Sequence, residues 1–225
     1  MKKFRLFATL LVVLCTTTFF TSCRNDDDNN KDFEIRATNV INSNSDIAFV
    51  RAMIWSWNWG CDLYLIAGEA PFQNNGFTLS LIDNVPNYFL HRWSNEVFTY
   101  NVIVSDANAK FAWWLTFIAY NSDGNQIGYF RLEDIRENEI YHWIEWFYAD
   151  RNATIRGFYA GRIYDWNFRR GWNVIYNDRN RTTSQRLSGM NLQWYFSGFG
   201  DWEEEDWSSH SKITRTIKSR SSIVR

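Results

Sequence analysis

Residues 47–59 read Ile-Ala-Phe-Val-Arg-Ala-Met-Ile-Trp-Ser-Trp-Asn-Trp, and this stretch decides the fold. Its odd-numbered positions are apolar with the exception of Arg51, whereas its even-numbered positions are apolar up to Ile54 and then change to Ser56 and Asn58. Side chains alternate between the two faces of a β-strand. The stretch therefore predicts a long strand that is buried on both faces at first and on one face later.

Comparable apolar or alternating runs recur along the chain and predict further strands. Residues 140–148 fit a strand or a helix, and the polar residues 133–139 leave room for one helical turn. The other predicted strands are 63–70, 76–82, 97–104, 111–120, 126–132, 153–159, 163–168, 172–176 and 190–196.

Turn residues between these runs predict how the strands connect. Asn74-Asn75-Gly76 is a turn signal, and residues 121–125 and 169–171 each predict a hairpin between the strands on either side. The chain contains 13 Trp, 11 Tyr and 18 Phe, residue types that favour strands. About ten short strands without helical patterns between them predict an all-β domain, an antiparallel β-sandwich, with a closed lipocalin-like barrel as the alternative.

The apolar pattern also sets the expected domain boundaries. Residues 33–199 form one predicted β domain, because a chain of this length supplies one sizeable core rather than two. From residue 200 the apolar content falls, and an acidic block is followed by a basic one. Residues 200–225 are therefore predicted to be a disordered charged tail, with capture of a partner as the alternative role.

The first residues have the layout of an export signal. A cationic start at residues 2–5 precedes the apolar stretch 6–20, and threonines at 16–18 interrupt that stretch. A spanning helix needs about 20 predominantly apolar residues, so a transmembrane anchor is the weaker interpretation. Residues 1–22 are predicted to be a cleaved signal peptide.

The end of that signal resembles a lipobox. In Phe20-Thr21-Ser22-Cys23, small residues precede a cysteine, and the resemblance implies that Cys23 becomes the acylated first residue of a lipoprotein carrying diacylglycerol and palmitate. Ordinary secretion with cleavage near Ser22 is the alternative. The membrane, contacted through the lipid on Cys23, is accordingly the first expected partner.

Residues 23–32 follow as the lipidated cysteine and a tether. Residues 24–32 contain no apolar side chain, so they are expected to stay flexible. Their acidic run resembles the surface-export signal of lipoproteins in the Bacteroidota, which implies the cell envelope and the outer face of the outer membrane. A plain solvated linker is the alternative.

Short segments of the β domain resemble uncharacterised lipoproteins of the same phylum. Residues 67–81 are similar to a strand pair of small transthyretin-like or immunoglobulin-like sandwiches, and residues 168–173 and 192–195 are similar to segments common in such lipoproteins. The resemblance implies a sandwich on the cell envelope and brings no catalytic residues with it.

Charge and the scarce ligand-type residues exclude several functions. The formal charge is −1, and loss of the three cationic residues of the signal makes it −4, so no basic excess favours nucleic acid. Cys61 has no cysteine partner once Cys23 is acylated, and it is predicted to be a small buried hydrophobe. His91, His142 and His210 lack metal-ligand spacing, so the sequence predicts neither a metal site nor a cofactor.

Carboxylates are the remaining candidates for chemistry. A glycosidase needs two acidic side chains that face each other across a cleft. Glu69, Asp83, Glu145 and Asp165 lie in or beside predicted strands and could be arranged in this way. Solvent-facing acids that protect strands against aggregation explain them better, so we expect a protein that is not an enzyme.

The strongest candidate for binding is an aromatic strip. Trp55, Trp57 and Trp59 recur at a period of two and project from one face of a strand, where flat rings can stack on sugars. Asn58 and Asp62 are near enough in sequence to bond sugar hydroxyls. The alternative is that the tryptophans fill the core of the sandwich or the mouth of a barrel.

The sequence therefore predicts a non-catalytic, lipid-anchored envelope protein that serves in binding or adhesion, with a glycan as ligand. A structural or assembly role in an envelope complex, with an envelope protein as partner, is the second hypothesis. A carbohydrate-active enzyme is the third.

Overall fold

The computed structural model describes residues 33–58, 61–93, 101–137 and 139–199. All of them belong to the unit Asp32–Arg225. The predicted signal peptide 1–22, the tether 23–32 with Cys23 and the tail 200–225 lie outside the described residues. None of the described segments is a helix long and apolar enough to span a membrane.

The described part of the chain is built from strands, which confirms the predicted all-β class. A short 3-10 turn, Asn87–Phe89, is the helical element among these residues. The strands are β1 (Phe33–Ala37), β2 (Phe49–Asn58), β3 (Cys61–Pro71), β4 (Phe77–Leu81), β5 (His91–Arg92), β6 (Val102–Val104), β7 (Lys110–Ala112), β8 (Leu115–Tyr120), β9 (Gln126–Arg136), β10 (Glu139–Ala149), β11 (Ala153–Tyr159), β12 (Arg162–Phe168), β13 (Gly171–Asn177), β14 (Arg181–Thr183) and β15 (Gln193–Gly198).

These strands form a large sheet and a small one. The large sheet has the order β3-β2-β8-β9-β10-β13-β14-β12-β11-β6, with β15 beside β9, β7 beside β10, and β5 beside β7. The small sheet pairs β1 with β4. No pairing between described residues joins β3 to β6, so the sheet stays open. The sandwich prediction is confirmed, and the closed-barrel alternative is wrong.

The first core lies between the small sheet and one face of the large sheet. Phe77 of β4 packs against Phe117 of β8, Phe130 of β9 and Trp194 of β15, with ring centroids 6.0, 5.3 and 5.3 Å away. The rings of Phe77 meet those of Phe130 and Trp194 edge to face, the arrangement that their quadrupoles favour. This contact between two sheets is what makes the fold a sandwich.

The second core lies on the opposite side of β10. Trp146 and Tyr148 of β10 are buried in the first core, whereas Phe147 and Ala149 are buried in the second. Side chains of β6, β11 and β12 complete the second core, including Trp166, whose indole ring meets Phe147 with centroids 5.2 Å apart. The alternation along β10 therefore divides one strand between two cores.

Two connections differ from the sequence prediction. Residues 133–139 hold no helical turn where they are described, because β9 continues to Arg136 and β10 begins at Glu139. The strands β12 and β13 flank the predicted turn at 169–171 but do not pair as a hairpin, since β14 pairs with both of them. After the turn, the chain leaves the β11–β12 pair, and β13 pairs with β10 instead.

The two edges of the large sheet are distinct. At β3, an extra residue, Ala67, forms a bulge between the pairs Ala52–Gly68 and Met53–Ile66, and the strand ends at Pro71. At the other edge, the three-residue strand β6 pairs with β11 at Gly157, where a side chain would overlap the carbonyl oxygen of Asn101. Only glycine fits this close approach, and its φ of +151° is one that other residues rarely adopt.

Candidate functional site

The β2–β3 hairpin presents exposed aromatic side chains near its tip. Trp55 of β2 pairs with Tyr64 of β3, and their ring centroids lie 5.9 Å apart at an angle of 53°. Trp55 is 36% exposed and Tyr64 is 56% exposed. Ile66, opposite Met53, continues the same face and is also exposed. We call Trp55, Tyr64 and Ile66 the hairpin face.

The other residues of the predicted strip are positioned by their backbone. Trp57 pairs with Asp62, and Asn58 pairs with Cys61, so these residues occupy the last positions of the hairpin. Their side chains and the whole of Trp59 lie outside the described residues. The role of the full strip therefore stays a prediction, and Trp55 is the member whose side-chain position is described.

Trp114 is an exposed aromatic residue that the sequence analysis did not select. It directly precedes Leu115, which pairs with Ile54 in the last pair of the β2–β8 register, so Trp55 and Trp114 both lie one residue beyond the end of that pairing. Trp114 is 56% exposed and has φ of +58°. A non-glycine residue in this left-handed region is strained, and such strain clusters at functional sites. No signal in the sequence distinguishes Trp114, because this residue lies within the apolar run 111–120, which predicts a strand buried on both faces.

Charged groups lie farther along the same side of β2. The Arg51 guanidinium is 4.7 Å from the Tyr120 ring and 5.0 Å from the Phe49 ring, and these two rings are stacked. Arg51 Nε donates to Glu69 Oε2 at 2.6 Å, and this bond is the largest reason that the pKa of Arg51 is raised. The rings beneath Arg51 are half-buried and buried, respectively, for Phe49 and Tyr120, and the partly exposed Arg51–Glu69 pair offers charged groups that can bond to sugar hydroxyls.

A second polar cluster lies at one end of the second core. Glu145 accepts hydrogen bonds from Trp143 Nε1 at 3.4 Å and from Asn177 Nδ2 at 3.3 Å. Arg162 lies over the Trp143 ring at 4.9 Å and donates to Asn177 Oδ1 at 3.3 Å. Burial raises the pKa of the neighbouring Tyr164. Most of these groups bond to one another, with the buried Nε of Arg162 as the exception among the described residues, so the cluster is explained as the polar end of a packed core.

Asp134 organises a buried ionic network. Its carboxylate accepts two bonds from Arg136, at 3.1 and 2.7 Å, and lies 2.9 Å from His142 Nδ1. The backbone N–H of Asn191 donates to it at 3.2 Å. These bonds lower the pKa of Asp134 to about 2, and the bond from Arg136 has the largest effect. The network ties β9 to β10 and to the segment before β15, which is a structural role.

The four carboxylates considered for catalysis do not form one site in the contacts of the described residues. Glu69 pairs with Arg51, Asp165 pairs with Arg156 and Arg181, and Glu145 belongs to the polar cluster described above. Asp83 is exposed.

Metal-ligand residues are likewise dispersed. Within residues 33–58, 61–93, 101–137 and 139–199, no group of three or more His, Cys, Asp or Glu side chains is arranged to hold a metal ion. His142 contacts Asp134, and His91 lies on β5. The side chain of Cys61 and the whole of His210 lie outside the described residues.

Comparisons with protein-family models, with curated proteins and with solved structures found no match to this chain. The resemblance to lipoproteins of the Bacteroidota therefore rests on the short sequence segments alone.

Proposed function

We propose that this chain is a non-catalytic, lipid-anchored protein of the bacterial cell envelope that binds a glycan through the hairpin face together with Trp114. The observation that carries the proposal is the exposure of Trp55, Tyr64 and Trp114 around one end of β2 and β8. Large aromatic rings lose favourable burial when they are exposed, so a group of them is typical of a binding surface.

The chemistry of the hairpin face fits a sugar ring. Sugars present apolar C–H faces that stack on aromatic rings, and their hydroxyls bond to charged and amide groups. The rings of Trp55 and Tyr64 are tilted by 53° to each other, so they form a V-shaped surface rather than one flat plane. A single pyranose or the end of a chain fits this angle better than a long flat polymer.

A glycan array tests the binding proposal. The mature chain with Cys23→Ser is compared with the double variant Trp55→Ala/Tyr64→Ala and with Tyr88→Ala, an equally exposed tyrosine on the 3-10 turn. We expect binding of at least one glycan class, a loss of about tenfold or more in the double variant and no change in Tyr88→Ala. Absence of glycan binding by the parent chain would make the structural or assembly role the better proposal.

The anchor is tested separately. The lipobox resemblance at Cys23 and the apolar signal before it support lipidation. In cells of a bacterium that acylates lipoproteins, the parent chain should incorporate labelled palmitate and Cys23→Ser should not. Labelling of Cys23→Ser would contradict the anchor.

A further inference from the structure

A second exposed apolar surface lies on β6, β11 and β12, on the face of these strands that points away from the second core. Ile103, Phe158 and Ile163 are 73%, 54% and 49% exposed. Phe158 pairs with Ile163, and Ile103 pairs with Arg156, the residue two positions before Phe158 on β11. Paired residues of neighbouring strands point to the same face, so these apolar side chains share one surface, which we call the outer face.

The outer face carries an excess of positive charge. Arg156 of β11 and Arg181 of β14 both contact Asp165 of β12, with N–O distances of 3.3 and 3.7 Å. Two guanidinium groups therefore share one carboxylate, and both arginine side chains are about half exposed or more. Arg156, Arg181 and Asp165 together give the outer face a formal charge of +1.

We propose that the outer face docks on an anionic lipid surface. Arginine forms bidentate hydrogen bonds with phosphate groups, and apolar side chains beside it can enter the boundary between headgroups and acyl chains. Each arginine near such a surface contributes about 1 kcal/mol. The combination of exposed Ile and Phe with arginine on one sheet face matches this chemistry.

A second copy of the chain is a poorer occupant of the outer face. In a twofold contact the face meets itself, so the arginines of one copy would approach those of the other. Each copy brings two guanidinium groups and one carboxylate, so the contact opposes like charges. The edge strand β6 beside this face has three residues, which offers little backbone for pairing between copies.

The inference is independent of glycan binding, because the outer face lies on β6, β11, β12 and β14, whereas the hairpin face lies on β2 and β3, which pair with none of those strands. It is also independent of lipidation when the Cys23→Ser chain is used. Either proposal can therefore fail without the other.

Vesicle sedimentation tests the inference. The mature Cys23→Ser chain is mixed with vesicles of phosphatidylglycerol and phosphatidylcholine, or of phosphatidylcholine alone. We expect binding to the anionic vesicles, weaker binding at high salt, and at least about tenfold weaker binding to the neutral vesicles.

Two variants and one control locate the surface. Ile103→Ser/Phe158→Ser removes apolar contacts, and Arg156→Gln/Arg181→Gln removes charge while keeping hydrogen-bonding groups. Each should weaken binding to anionic vesicles by about tenfold or more. The control Leu63→Ser/Tyr88→Ser changes two exposed apolar residues that lie on neither proposed surface and should bind as the parent does.

Circular dichroism and thermal unfolding of each variant separate lost binding from lost folding, and the charge variant changes exposed side chains alone. Parent-level binding by both folded variants would overturn the proposal. Equal binding to neutral and anionic vesicles would also overturn it, as would failure of the parent to bind either. A dimer that the variants abolish, without vesicle binding, would assign the face to a second copy instead.

Discussion

The hairpin face and the outer face are both exposed surfaces of one large sheet, yet they present different chemistry. At the hairpin face the exposed side chains are mainly aromatic, and the nearby Arg51 is matched by Glu69. At the outer face they are mainly aliphatic, with two arginines sharing Asp165. The comparison shows that outward side chains can differ in chemistry between strands of one sheet while the inward ones keep the cores.

The largest expected effects test whether the first and second cores fold as one unit. Phe117 in the first core and Phe168 in the second are each 1% exposed. Because β10 contributes side chains to both cores, either Phe→Ala substitution should lower the free energy of unfolding by about 3–5 kcal/mol and shift one common transition. Urea unfolding followed by fluorescence and by circular dichroism measures this.

Two separate transitions, with each substitution moving a different one, would contradict a shared core strand. The two cores would then unfold independently, and the two surfaces could be transferred separately to other chains.

A smaller effect is expected at Asp134 of β9, whose carboxylate contacts His142 of β10. Its pKa is lowered from 3.8 to about 2, so the ionised carboxylate stabilises the folded state above pH 4 and loses this effect as the pH falls toward 2. Asp134→Asn should lower the free energy of unfolding by about 2 kcal/mol at pH 7. The difference from the parent should shrink between about pH 4 and pH 2.

Denaturant titrations at several pH values measure the effect. The exposed residue Asp123 supplies the control, since Asp123→Asn makes the same chemical change at the surface. A pH-independent loss in Asp134→Asn would show that packing, rather than charge, is responsible.

At the hairpin face, Trp114→Gly should change stability and binding in opposite directions. Glycine adopts a φ of +58° without strain, so the substitution should raise the free energy of unfolding by up to about 1 kcal/mol. Loss of the exposed ring should at the same time weaken glycan binding. Thermal unfolding and the glycan array measure the two effects, and unchanged binding would exclude Trp114 from the site.

The smallest expected effect concerns the Arg51–Glu69 pair. Both side chains are substantially exposed, so Glu69→Gln should cost no more than about 1 kcal/mol, and less at high salt. Urea unfolding at low and high salt measures this. A cost of several kcal/mol would mean that the pair holds the hairpin in place and that the two surfaces differ in structural role as well as in chemistry.

Much of the strand content follows from local pattern. The alternation in residues 153–159 predicts β11 with its observed bounds, and the turn at 121–125 joins β8 to β9 as expected. Both features depend on residues that are close in sequence.

The failures concern partners that are distant in sequence. Glu133 and Asp134 suggested an exposed polar turn, but Glu133 lies opposite Gln193 of β15 and the backbone N–H of Asn191 donates to Asp134. β14 separates β12 from β13, and this strand lies in a stretch whose polar sequence is typical of a loop. No local pattern records such pairings.

The candidate sites divide in the same way. Trp55 was selected because it belongs to a periodic strip, whereas Tyr64 reaches it only through the strand register. Four exposed apolar residues lie within runs of sequence that resemble buried strands, namely Trp114, Ile103, Phe158 and Ile163. Their exposure depends on which face of the sheet receives a cover, and that is decided by the whole fold.

The bulge at Ala67 and the terminal Pro71 acquire a further meaning if anchored copies are confined to a surface. Molecules diffusing in two dimensions collide repeatedly in similar orientations, so an open strand edge could add neighbour after neighbour into a filament. A bulge interrupts the regular register of β3, and proline offers no N–H to a newcomer. If the proposed anchor holds the chain at a membrane, this edge would let many copies lie side by side and remain separate molecules.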